Sequence, residues 1–490
     1  MTEQIRKTLK DSAAMRWTVM VMVSMLMFAT YWFQDFFSGL KPLMESQLGI
    51  NSSEFGALIG MTTIANVFGM IIVGGMFLDR FGIRLTALVF GTVVTFGAAL
   101  TALGAHGVFG EDPDTRLHVM IAGRVFFGTG LEVTCVLVTR TMVKWFKGYE
   151  LALAMALNVA FGRGGSAIGT MFSIDIGGGE VPAAVTFAAT LVGVGFIMFL
   201  AYLMFDVKLD KQLAEQSEEE EEEPFRFSDL FKLLTNKSFM LIAFLCVAFY
   251  SAVFPFMQYA PDLLINKFGF SLMLPDMTGW SLWDKAGAWL TNGPKVAGLL
   301  PLGTILLTPI FGSIMDRKGK AASLMMIGSV LLIFAHLALS VFDNVYLGYA
   351  GLVSLGAAFS LVPAAMWPSV AKIVPENRLG TAYATMFTIQ NWGLLVFFWG
   401  IGKVLDLVNP EVVTKIENIR AAFVAQGLNA GQISEKIEAM RIKGEIPAYD
   451  YTIPILVLVG LGVVSIFLAF ALKQSDKEQG YGLEDPSAAK

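Results

Sequence analysis

Charge is scarce in this chain of 490 residues: Asp, Glu, Lys and Arg make up 15%, against 55% hydrophobic residues and a mean hydropathy of +0.63. Soluble domains carry about 25% charged residues, so an ordinary water-facing surface is excluded. Cysteine is limited to Cys135 and Cys246, both inside apolar runs, and histidine to three scattered positions. A disulfide framework or a metal cluster has nothing to be built from, and no cofactor is expected. There is no basic patch, and the net charge is -5, which leaves nucleic acid without a footprint. A G-x-x-x-x-G-K-[S/T] loop is missing, which disfavours an ATP-driven pump. No serine-histidine, cysteine-histidine or histidine-metal array falls at membrane depth, so an enzyme is not expected.

What the chain has in abundance is long apolar runs. A spanning helix needs about 20 such residues, and twelve segments qualify, near 17–40, 54–78, 83–104, 117–143, 149–174, 182–205, 238–266, 295–315, 321–342, 345–371, 378–406 and 451–473. They do not alternate apolar with polar residues, so helices are expected and not a barrel. The first follows a short basic tail (Arg6, Lys7, Lys10, Arg16) and lacks a small-residue cleavage site, which marks it as a retained helix. The fold class expected is an all-α membrane protein of twelve transmembrane helices.

Basic residues fall on alternate connections: Arg80 and Arg84, Arg140 with Lys144 and Lys147, Lys208 and Lys211, Arg317 with Lys318 and Lys320, and Lys372 with Arg378. All lie on the side of the N-terminal tail, which the positive-inside rule makes cytoplasmic. With an even number of spans, the tail at 474–490 is cytoplasmic as well. Between the sixth and seventh spans, residues 206–237 hold the run Glu218 to Glu223 and Pro224. This solvated acidic linker separates two six-helix halves, 17–205 and 238–473, and is assigned no chemistry.

Both halves carry one motif at one place. Gly75-x-x-x-Asp79-Arg80-x-Gly82 follows the second span, with Arg84 just beyond it, and Gly312-x-x-x-Asp316-Arg317-x-Gly319 follows the eighth. Repeated six-helix units with a site between them are a transporter architecture. The pattern resembles the major facilitator superfamily, as does Arg124-x-x-x-Gly128-x-Gly130 on the fourth span. The resemblance implies two pseudo-symmetric halves that alternate access, with the repeated motif gating the cytoplasmic side and Arg124 structural or coupling.

Longer strings are similar to the lysosomal dipeptide transporter branch: Gly123 to Gly128 leading to Glu132, Lys144 to Leu151, Ala252 to Phe256, Lys267 to Ser271, Trp367-Pro368, and Leu379 to Tyr383 with Ile389 to Asn391. That resemblance implies movement of dipeptides, without an obligatory coupling ion. No sorting signal stands out in the short tail, so a cell-membrane address is expected over a lysosomal one.

Ionisable groups inside a span cost several kcal/mol unless a partner or a polar cavity receives them. Glu132 and Arg163 lie deep in adjacent spans, at positions that match the branch's binding residues. They either pair with each other, or Glu132 accepts a peptide ammonium while Arg163 grips its carboxylate in a planar fork. Gln390 and Asn391 occupy the equivalent depth of the second half, and either bond the peptide amide or bridge helices. Asp35 is placed at the cavity mouth, with Tyr31, Tyr250 and Trp367 as aromatic wall. Outside the membrane, 272–294 carries three tryptophans suited to an interfacial helix, and 409–449 reads as a helical hairpin. For the hairpin, a cap, a docking site for an accessory protein and surface elaboration are all open. The expected partners are a dipeptide and the lipid bilayer. Two alternatives stay open: a proton-coupled transporter of another small organic anion or drug-like compound, and a non-transporting peptide receptor.

Overall fold

The computed structural model describes residues 8–214, 227–375 and 378–486; the glutamate run, Arg6 and Lys7 lie outside them. Among these residues the backbone is helical, with one isolated bridge between Ser271 and Asn292 and no strand. The first half comprises α1 (Ala13–Asp35), α2 (Phe37–Leu43), α3 (Ser52–Gly60), α4 (Met70–Ala105), α5 (Pro113–Phe146), α6 (Leu151–Ile176) and α7 (Val181–Ala214). The second comprises α8 (Lys237–Phe268), α9 (Leu282–Leu290), α10 (Leu299–Lys318), α11 (Ala321–Ser340), α12 (Val345–Ile373), α13 (Leu379–Val408), α14 (Pro410–Ala425), α15 (Ala430–Ile442) and α16 (Thr452–Gln479).

Local chemistry sets the ends of these elements. Asn51 and Glu54 form a reciprocal capping box at α3, with both bonds at 2.9 Å. Asp112 caps α5 ahead of Pro113, where a missing N–H costs nothing. The last glycine of each motif copy takes a left-handed φ, +72° at Gly82 and +65° at Gly319, a conformation that side chains with a Cβ resist. The sequence repeat is thus a repeat of one backbone turn.

Ten helices among the described residues are long and apolar enough to cross a membrane. Two of the twelve expected spans, the second and the fifth, do not stand as separate helices in that set. The second breaks at Met61–Thr63 and Gly69, then runs through the kink at Gly82 into the third as a single helix, α4. The fifth, α6, is 26 residues long and has the length of a span. The first span reaches well past 40: α1, α2 and a π-helical turn, Met44–Leu48, form one continuous rod.

Packing follows the repeat. In the first half α1 packs on α6 and α7, and α4 on α5 and α7; in the second, α8 packs on α13 and α16, and α11 on α12 and α16. Across the seam α3 lies on α13, where a Cβ on Gly402 would stand 2.0 Å from the Ser52 carbonyl and one on Gly56 2.4 Å from that of Phe398. This contact closes the face that carries the α14–α15 hairpin. On the opposite face, which carries both chain ends, a Cβ on Gly75 or Gly312 would meet nothing within 4 Å. Among the described residues, cross-half hydrogen bonds and ion pairs such as Gln258–Asp35, Lys41–Asp262 and Arg441–Glu45 lie at mid-depth or towards the hairpin face. The space between the halves is therefore open to the terminal face.

Two Gly→Ala substitutions test this packing. Gly128→Ala puts a Cβ 1.8 Å from the Thr62 carbonyl and should cost about 1–3 kcal/mol. Gly312→Ala, into open space, should be neutral or stabilising by about 0.5–1 kcal/mol. Thermal melts in detergent read by size exclusion should separate the two variants in opposite directions.

Candidate substrate site between the halves

Arg124, Glu132 and Arg163 lie in the middle of α5 and α6 and behave differently. Arg124 is fully buried and its guanidinium donates to the Phe33 carbonyl at 3.0 Å and to Gln34, within a ring of Phe33, Phe37 and Phe127. Those carbonyls lie in the last turn of α1, so Arg124 is occupied with its own half. Glu132 and Arg163 are half-buried, and among the described residues neither has a hydrogen-bond or ion-pair partner. They do not pair with each other. The guanidinium of Arg163 rests instead on the ring of Phe359, on α12 of the other half, 4.5 Å from its centroid. Tyr31 lies within electrostatic reach of both charges.

The wall contributed by the second half is aromatic. Tyr250 stacks on Phe254 at 5.2 Å, Phe254 meets Phe359 edge-on, and the Trp367 indole donates to the Tyr250 hydroxyl at 3.1 Å. Tyr383 and Phe387 continue this surface against Trp367. The Gln390 side-chain oxygen accepts from the Cys246 thiol, and the Asn391 amide donates to the Phe387 carbonyl of its own helix at 2.8 Å. The Asn391 amide is thus engaged with its own helix. Asp35 is found in the roof of the space: it accepts from Ser166 at 2.5 Å and from Gln258 of α8 at 2.8 Å, and joins the two halves.

Above this roof the seam is polar and dry. Lys41 and Asp262, 2.6 Å apart with side chains 2% and 0% exposed, form a buried cross-half ion pair, and Tyr451 donates to the same carboxylate. Asp406 at the end of α13 accepts from the backbone N–H groups of Ser52 and Ser53, an anion at the start of α3. Lys295 reaches across to Asp175 and to the Met171 carbonyl.

A profile of the Major Facilitator Superfamily matches residues 22–398. The chain belongs to the major facilitator superfamily. Within it, the chain is 29% identical over 403 residues to the lysosomal dipeptide transporter MFSD1 of Danio rerio, covering 79% of this chain and 80% of that one. It is 29% identical over 409 residues to the Homo sapiens protein of the same name, covering 80% of each. Among solved structures it resembles an inward-facing, unoccupied bacterial homolog of the human lysosomal transporter Spinster (TM-score 0.66, 14% identity, 95% and 98% covered). It also resembles the nucleoside transporter NupG (TM-score 0.63, 15% identity, 93% and 99% covered). The fold is that of superfamily transporters, and the protein is a multi-pass membrane transporter and not an enzyme. Its curated relatives are named as lysosomal, which does not favour the expected cell-membrane address.

As a superfamily member the chain should show its gating motifs at the moving seam. Both copies lie on the open terminal face. Arg84 and Lys144 join α4 and α5 to Asp206 of α7, within the first half, at 3.0 and 2.6 Å. Arg80 lies over the neighbouring Phe81 ring, and Asp316 and Arg317 have no ion pair among the described residues. The closed side relies on Lys41, Glu45, Asp262 and Lys295, which the sequence reading does not single out. Ending the first span at 40 turns Lys41 and Glu45 into loop charges. Asp262, inside the seventh span, carried the in-span charge signal all the same.

Lys41→Ala should leave Asp262 buried without its cation and destabilise the closed hairpin face by about 3–5 kcal/mol. The double variant Lys41→Met with Asp262→Leu should recover most of that loss. A double-mutant cycle on thermal stability checks both expectations.

Proposed function

We propose that the protein moves small peptides, dipeptides foremost, by alternating access, with Glu132 receiving the peptide ammonium and Arg163 its carboxylate. The observation that carries this reading is the pair of opposite charges left without partners at mid-depth. Charges held at membrane depth are costly unless a partner or a polar cavity receives them, and a zwitterionic ligand supplies both missing partners at once. The printed name of the relatives, dipeptide transporter, supports the same substrate class. Recognition through the termini leaves side chains to the aromatic wall, which offers area and ring faces without selecting one shape. Arg163 on Phe359 would be parked on a ring face, a weak contact that a carboxylate displaces by charge-assisted bonding. The basic residues of the terminal face support a cytoplasmic side there by the positive-inside rule, and in this reading the conformation is open to the cytoplasm.

A second reading rests on the same unpaired carboxylate: Glu132 as a proton carrier that couples the gradient to another organic anion held by Arg163. Uptake of labelled di-, tri- and tetrapeptides and amino acids into proteoliposomes, with and without a proton gradient, separates the two. Transport of a different anion with no dipeptide uptake would refute the first.

Arg163→Ala should abolish dipeptide uptake in a folded protein, and wild-type flux in that variant would remove Arg163 from the site. N-acetylation of the dipeptide should weaken its competition with the wild type by about 1.5–3 kcal/mol, the value of a hydrogen bond to a charged group. In Glu132→Gln that penalty should largely vanish, which ties the ammonium to this one carboxylate.

A further inference from the structure

The hairpin at the closed face grows out of the second half but seats on the first. Its inner side is built by i, i+4 apolar pairs, Val412 with Ile416 on α14 and Ile433 with Ile437 on α15, all buried. Gly427 and a capping box from Asn429 to Gln432 fix the turn between the two helices. Its landing place is the π-helical turn Met44–Leu48, where Glu45, Ser46 and Gln47 are consecutive and all buried. In an α-helix three successive side chains face away from one another; the wider turn, a form that recurs at functional sites, lets all three engage partners here. Glu45 is held by Arg441 at 3.0 Å and by the Tyr449 hydroxyl. Ser46 and Ser434 hydroxyls are 2.8 Å apart, and the Gln47 amide donates to Ser434 at 3.1 Å and to the Gly179 carbonyl at 2.7 Å. Arg420 of α14 lies against Gly49, which ends the turn with a φ of +75°.

We infer that this hairpin is a latch specific to the state with the terminal face open. It is covalently part of the second half and binds the end of the first span, so the hairpin face opens only after Ser434, Arg441 and Tyr449 release Glu45, Ser46 and Gln47. A cavity of about 450 Å³ lies between the seated hairpin and the first half, lined by Pro42, Ser46, Glu180, Ser434 and Arg441; it is a product of the docked state. The latch sits above the Lys41–Asp262 pair and keeps that pair dry. Its effect is on the equilibrium between states, by the difference in contact energy between the docked and undocked hairpin. The inference rests on alternating access and not on the identity of the substrate.

The test uses the full chain with Cys135→Ala, Cys246→Ala and a reporter, Ser38→Cys, buried beneath the latch. An impermeant maleimide is applied from the hairpin face of sealed vesicles. Replacing the ion pair by Glu45→Gln with Arg441→Gln should raise the labelling rate at least about fivefold, the low end of common coupling between sites. Adding Ser46→Cys with Ser434→Cys and oxidising should form a crosslink and reduce labelling to background, with recovery on reduction. Failure of the crosslink to form, or labelling that is unchanged by it or by the charge-neutral pair, would overturn the latch. Because the readout needs no substrate, a negative result for dipeptide uptake leaves this test intact.

Discussion

Taking a charge out of water costs several kcal/mol unless a counter-ion or a set of hydrogen bonds replaces the solvent, and the layout of this chain follows from how each buried charge meets that cost. Arg124 meets it within one half, against the carbonyls that end α1. Lys41 and Asp262, or Glu45 and Arg441, meet it across the seam, where neither half alone would satisfy them. Glu132 and Arg163, half-buried, have neither a counter-ion nor a hydrogen bond among the described residues. The first kind of site holds a half together, and the second holds one conformation.

This sorting also explains why the closed face is polar and the open face carries the glycine motifs. An ion pair across a moving seam contributes only while the seam is shut; when it opens, water takes over both partners and the loss is moderated. Glycines add close approach on the same face: Gly56 and Gly402 bring the backbones of the two halves together. On the terminal face Gly75 and Gly312 face empty space in this conformation. Small residues there leave room for a second close approach, which alternating access requires of the other state.

Much of the fold was legible because membrane insertion writes long apolar runs and alternating basic loops directly into the chain. The repeated motif was legible for a stricter reason, since a left-handed turn at Gly82 and again at Gly319 demands glycine in both copies. The hairpin's two helices were legible from their i, i+4 stripes and the glycines between them. What could not be read was where that hairpin lands. Glu45, Ser46 and Gln47 look like the start of a polar loop, and only the π-helical extension of the first rod turns them into a docking surface. Likewise the relation of Glu132 to Arg163 was undecidable from spacing, because pairing and separation depend on rotamers and helix rotation, not on sequence distance.

The site and the latch are linked by the same rod. Going from mid-depth outward along the first span, Tyr31 lies within reach of both unpaired charges, Asp35 bonds Gln258, Lys41 bonds Asp262 and Glu45 bonds Arg441. On the partner side Gln258 and Asp262 are one helical turn apart on α8, so the contacts climb in step along two facing helices. The last three of these contacts cross the seam, and each is lost if the two rods tilt apart. A ligand that draws Arg163 away from Phe359 changes a cross-half contact at the base of this series. Occupancy of the site then alters the same interface that the ion pairs and the hairpin hold shut, and it needs no separate relay, only a difference in how well the two arrangements of these rods accommodate the bound charges.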